Sequence, residues 1–370
     1  MKERETKEVF AAFWLTHLTK IPLLKLKQWV EACGGMTAFH DEGWKRLKGL
    51  LPEEQVYIEK KIKDPEIYRN WERLKRGEFR FASLKDADYP QALRKLPDAP
   101  FGLYWKGKLP NPGRSCVAIV GARKSTIYGQ EFAYGLAREL GGSKVDVISG
   151  LAAGIDAAGH RGCMDGGGIT YGVLGCGIDR IYPKENISLY EKMSETGGVV
   201  SEYCPGTAPL SILFPRRNRI ISALSDMVVV VEAKERSGSL ITVDFALEQG
   251  KEIGAVPGRP CDPLSLGCNR LIRQGAKCIL EAEDVLEELS GIITASEAVI
   301  RPIKVKKDLG LAPKEKMVYS CLRLEPKFID DILCQIDLPV WEGIQILAEL
   351  EIKGIIKQNP HQYYYRCPES

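Results

Sequence analysis

The sequence predicts an α/β protein: an extended, Rossmann-like, mostly parallel sheet, preceded by a small helical domain and followed by a winged-helix domain. Three observations carry this. Strand-sized apolar runs recur between residues 115 and 281. A glycine-bearing turn follows most runs, and a helix-like segment follows the turn. Such alternation marks parallel strands covered by helices. Ligand sites in these sheets lie beyond the carboxyl ends of the strands, so function is expected at the glycine turns.

Composition sets the outer bounds. A chain of 370 residues has room for two or three domains. The net charge of +3, from 52 Lys and Arg against 49 Asp and Glu, leaves nucleic-acid binding to local patches. Eleven cysteines without a C-x-x-C pair, and only four scattered histidines, argue for buried small hydrophobes rather than a metal site. No metal and no cofactor are expected. No signal peptide pattern is seen and no run reaches the 18 apolar residues of a membrane span, so a cytoplasmic protein without membrane insertion is expected.

Residues 1–80 read as a helical accessory domain. Apolar residues fall at helical spacing up to Val30, Gly34-Gly35 stops that helix, and Pro65 suits the start of another. Residues 1–110 hold 22 basic and 16 acidic side chains, read as a solvated face on a packing domain. The proline-rich stretch 81–110 reads as a connecting segment in which Phe101–Trp105 forms a short strand.

Residues 111–290 read as the Rossmann-like domain. Strands are expected at Cys116–Val120, Val145–Ser149, Ile169–Leu174, Val199–Tyr203, Met227–Val231, Glu252–Val256 and Lys277–Leu280. After the first comes Gly121-Ala122-Arg123-Lys124-Ser125-Thr126 and a helix. Free N–H groups of a first helical turn suit an anion, and Arg123 and Lys124 add positive charge. Gly150 and Gly154 form a second corner. Asp156 and His160, four apart on one helix, read as a capping carboxylate and a structural histidine, because no nucleophile completes a catalytic set. Arg216, Arg217, Asn218 and Arg219 cluster at a helix entry and read as phosphate or single-strand contacts. Ser237-Gly238-Ser239 opens a further helix able to hold an anion. There is neither a P-loop nor a dinucleotide fingerprint.

Residues 291–310 read as a basic linker containing Arg301, Lys304, Lys306 and Lys307. In 311–370, helices at Ala312–Leu324, Ile329–Ile336 and Pro339–Gly354 and a hairpin make a winged helix. Its third helix carries Glu342, Glu349 and Glu351, with Gln345 as the main candidate reader, so duplex reading is weak or secondary.

The segments VAIVGARKST, SGLAAGIDAAGHRG, GVLGCGIDRIYPKEN, SEYCPGT, FPRRNRIISALSD, VVEAKERSGSLITVDFALEQG, AVPG and GCNRLIRQGA resemble, in order, the DNA-processing protein A (Smf) family. The resemblance implies a non-catalytic homodimer that binds and protects single-stranded DNA and loads the RecA recombinase in natural transformation. It places Arg123 at the Arg of the family's G-[SA]-R turn, and Arg217 and Arg219 at those of FPxRNR. The chain departs from the pattern at Ala153, where the family usually has Arg, at Ala122, where Ser is common, and at His361, where the wing usually has Gly. LEIKGII (350–356) matches the family's C-terminal segment. Two other readings compete. One is a phosphoribohydrolase-like nucleotide enzyme using Glu202, Glu232 or Asp244 as acid or base. The other is a winged-helix transcriptional regulator.

Overall fold

A computed structural model describes residues 2–292, 311–322, 326–336, 338–359 and 362–366. The expected linker from 293 onward, with its four basic residues, and His361 lie outside the described residues.

Helices Lys2–Leu15, Leu23–Ala32, Met36–His40, Pro52–Ile62 and Pro65–Lys75 build the amino-terminal region. Trp14, Phe39, Trp44, Ile58 and Ile67 are fully buried, so two of the tryptophans are core anchors. The same core takes in Tyr104, Leu174, Tyr190 and Met193. The helical region therefore packs on one face of the sheet.

Nine strands form that sheet: β1 Arg80–Ser83, β2 Gly102–Gly107, β3 Cys116–Val120, β4 Asp146–Ser149, β5 Thr170–Val173, β6 Gly198–Ser201, β7 Met227–Val230, β8 Glu252–Ala255 and β9 Lys277–Cys278. Their order is β1-β2-β6-β5-β4-β3-β7-β8-β9. From β6 to β9 all neighbours are parallel. Strands β1 and β2 add an antiparallel edge beside β6. The stretch expected as a connector thus supplies most of a strand pair. In β3 and β7 every residue is buried, as strands covered on both faces require. The direction of strand addition reverses between β3 and β7, the usual crevice of such sheets.

The carboxyl-terminal residues form helices Pro313–Cys321, Ile329–Leu333 and Val340–Ile352 with strands β10 Lys327–Phe328, β11 Ile356–Asn359 and β12 Tyr363–Arg366, ordered β10-β12-β11. Helices and hairpin follow the order expected of a winged helix; β10 was not anticipated. Among the described residues no helix is long and apolar enough to cross a membrane.

Candidate functional site

Three corners, after β3, β4 and β5, meet beyond the strand ends. The first requires Gly121, since a Cβ there would lie 2.7 Å from the Ile155 side chain. The second requires Gly154, whose φ is +79° and whose Cβ would lie 2.7 Å from the Arg123 carbonyl oxygen. The two turns are thereby pressed together, and Arg123 and Lys124 are exposed to solvent.

Between these corners and helix Leu213–Ala223 lies a cavity of about 120 Å³ lined by Arg123, Gly150, Ala152, Ala153, Tyr182, Pro183, Phe214 and Arg217. The Arg123 guanidinium sits 5.0 Å from the centre of the Phe214 ring, within cation–π range. The Tyr182 ring is 5.4 Å from Phe214, tilted by 38°, and is 40% exposed. The cavity mouth therefore combines an exposed cation with two aromatic faces.

Arg217 is 3% exposed and reaches the cavity from below. Its Nη1 donates to the carbonyl oxygens of Gly150, at 2.8 Å, and Val173. Its Nε has no protein partner among the described residues. Burial draws its pKa down to about 10 while Asp156 opposes the shift, so the guanidinium stays charged at neutral pH. Asp156 accepts from the Gly150 and Ala152 amides at 3.1 and 3.4 Å, the capping role expected of it. His160 is buried with its Nδ1 2.6 Å from Thr170 Oγ1, a structural histidine.

The remaining expected contacts divide differently. Arg219 does not face the cavity. It is 5% exposed, and its Nε donates to Asp98 Oδ2 at 2.6 Å. Its Nη2 and Nη1 grip Glu202 at 2.7 and 3.2 Å. Burial alone would lower its pKa, but Glu202 and Asp98 hold it above the ordinary value. This corrects its expected role as a phosphate contact: the guanidinium joins β6, the helix and residue 98. Thr126 is likewise turned inward. Its N–H and hydroxyl donate to Glu232 at 2.9 and 2.5 Å, so the protein's own carboxylate takes the anion position at the start of helix Ile127–Gly142. The Ser125 hydroxyl is buried without a partner among the described residues. Gly150 gives its N–H to Asp156 and its carbonyl to Arg217, so it shapes the cavity without a free donor for an anion.

Asn218 donates to the Gly238 carbonyl at 3.2 Å, and Ser237 caps its own helix by accepting from the Ser239 N–H at 3.4 Å. Ser237, Gly238 and Ser239 are not among the residues lining the cavity. Arg216 is exposed beside it in sequence but does not line it. Tyr182 and Phe214 are site residues that the sequence motifs do not single out. Their one visible signal is the proline that follows each aromatic, at 182–183 and 214–215. Ala153 stands exposed at the cavity wall, so the family's usual Arg would add a second cation at the mouth.

The chain is 44% identical over 208 residues to DNA processing protein DprA of Bacillus subtilis, covering 56% of this chain and 70% of the relative. It is 33% identical over 321 residues to protein Smf of Synechocystis, covering 77% and 80% respectively. The crystal structure of DprA from Streptococcus pneumoniae superposes with a TM-score of 0.66 at 34% identity, covering 75% of this chain and 97% of that one. A Helicobacter pylori DprA structure, described for a unique single-stranded DNA binding mode, gives a TM-score of 0.51 at 29% identity over 58% of this chain and 97% of that one. Residues 80–290 match the model of the DNA recombination-mediator protein A family, and the chain belongs to that family.

Proposed function

We propose that this protein binds single-stranded DNA at the cavity without catalysing a reaction, protects it, and as a homodimer loads it with RecA recombinase in transformation. The observation that carries the reading is the Arg123 guanidinium stacked on Phe214 beside Tyr182. A cation for the phosphate next to ring faces for bases is the chemistry of sequence-tolerant single-strand binding. Arg217 supplies a fixed positive charge beneath it, and Arg216 and Lys124 a looser one around it. Affinity should therefore fall steeply with salt.

The enzyme reading is less well supported. Glu202 is clamped by Arg219 and Glu232 by Thr126, while Asp244 is exposed on helix Gly238–Glu248. The regulator reading meets a third helix whose outer side shows Trp341, 68% exposed, and Ile344, with Gln345 turned to Glu349 at 2.8 Å.

The test is a titration against single-stranded DNA, duplex DNA and mononucleotides at two salt concentrations. Arg123→Ala is expected to weaken single-strand binding about tenfold or more, near 1.4 kcal/mol, with an unchanged melting temperature. Equal affinity for duplex, or an unaffected variant, would sink the proposal.

A further inference from the structure

The cavity does not stand alone. A second, larger concavity of about 590 Å³ lies on helix Pro65–Lys75, lined by Lys63, Tyr68, Arg69, Glu72, Arg73 and Arg76 together with Pro65. Arg69, Arg73 and Arg76 are spaced by four and three residues, so they share one helical face. Ile67 and Asn70 are buried away from that face, and Trp71 is partly buried beside them. Tyr68 is 45% exposed and held in place, its hydroxyl donating to the Ile62 carbonyl at 3.0 Å.

Arg73 connects this groove to the cavity. Its Nη1 donates to Asp179 Oδ2 at 3.0 Å, and its Nε to Glu78 at 2.7 Å. Asp179 also accepts from the Gly206 N–H at 2.7 Å, on the loop that leads to Phe214. Asp179 is three residues before Tyr182, a span of at most about 10 Å. Between them stands Arg180, exposed. Most acids near the groove are paired, while Glu66, exposed in the first turn of the same helix with a carboxylate oxygen 3.2 Å from where a Gly206 Cβ would lie, has no cation within salt-bridge distance among the described residues and puts one negative charge beside the groove. Glu72 pairs with Lys75, Glu78 with Arg73 and Arg76, and Asp179 with Arg73. Among the described residues, Lys63, Arg69 and Arg180 have no carboxylate within salt-bridge distance, so their charge faces solvent.

We propose that Arg180, Arg69 and Lys63 form a second phosphate-binding track, with Tyr68 as a stacking face, along which single-stranded nucleic acid runs on leaving the cavity. The proposal rests on the single-strand reading of the cavity. The amino-terminal helices then extend the binding surface, with Arg73 and Asp179 as the fixed joint between its halves.

Oligothymidylates of about 5 and about 20 nucleotides separate the two sites, the shorter one filling only the cavity. The double variant Arg69→Glu/Arg180→Glu is expected to bind the short oligomer as the parent does. It should bind the long one about tenfold more weakly, with the salt slope reduced by about 0.7 for each phosphate left without its cation. Arg123→Ala is expected to weaken both lengths. Parental binding of the long oligomer by the double variant would overturn the track while leaving the cavity standing. Equal weakening at both lengths would also overturn it, marking a general field effect. If Arg123→Ala changed neither length, the cavity reading would fail and the track with it. Both replaced arginines are exposed, and an unchanged melting temperature would confirm that folding is intact.

Discussion

The loop after β3 and the helix Leu213–Ala223 carry the same residue type to opposite ends. Arg123 keeps its guanidinium at the surface over a ring, whereas Arg219 is sunk between Asp98 and Glu202, and Arg217 lies between the two, buried but lining the cavity. In the turn after β3, Arg123 meets a ring face but no carboxylate within salt-bridge distance among the described residues. Arg219, in the middle of a packed helix, is held by two carboxylates, Asp98 and Glu202. Positive charge in a sequence motif is therefore of two kinds, one offered to a ligand and one holding the frame that offers it.

The sharpest way to break this contrast is Arg219→Ala. It strands Glu202, whose side chain is 10% exposed, and should destabilise the fold by about 3–5 kcal/mol in chemical denaturation. A destabilisation close to zero would return Arg219 to the surface class. Next is Glu232→Ala, which removes the acceptor of the Thr126 N–H and hydroxyl. A loss of about 1–3 kcal/mol is expected, partly restored by inorganic phosphate, and thermal melts with and without phosphate read both.

The third probe is pH. Burial pulls His160 down to about 3 and His17 to about 4, against 6.5 when free. Both bind a proton more readily unfolded than folded. Stability is then full above pH 6.5 and falls as pH drops through that value toward the folded pKa. His160 alone contributes about 2 kcal/mol of loss by pH 5. His160→Gln should flatten the slope between pH 6.5 and 5 in denaturant titrations. An unchanged slope would mean that His160 is protonated in the fold beside Arg217. The smallest effect is expected from Ala153→Arg, which adds a cation to the cavity mouth and should raise single-strand affinity a few-fold at low salt. No gain, or a gain insensitive to salt, would separate that position from the strand's path.

Much of this was legible in the chain itself. Met227–Val230 reads as a central strand because nothing polar interrupts it, and it is buried throughout. The glycine corners were legible because tight turns between strand and helix leave no space for a side chain, as the contacts at 121 and 154 show. The burial of Arg219 was not, because its partner Asp98 lies 121 residues away and is brought near only by the antiparallel edge of the sheet. The aromatic pair is hidden for the same reason, since Tyr182 lies in the loop after β5 and Phe214 in the first turn of helix Leu213–Ala223, 32 residues on. Strand β1 escaped because two of its four residues are partly or wholly exposed, which weakens the apolar pattern.

Glu232 carries one more consequence. In sheets of this plan a nucleotide usually rests its diphosphate where β3 and β7 part company. Here that seat is already taken by a carboxylate bonded to Thr126, and an incoming diphosphate would meet like charge. The open cavity lies one or two strands to the side, shallow and aromatic, where a small cofactor would find few handholds and a long polymer can simply pass across.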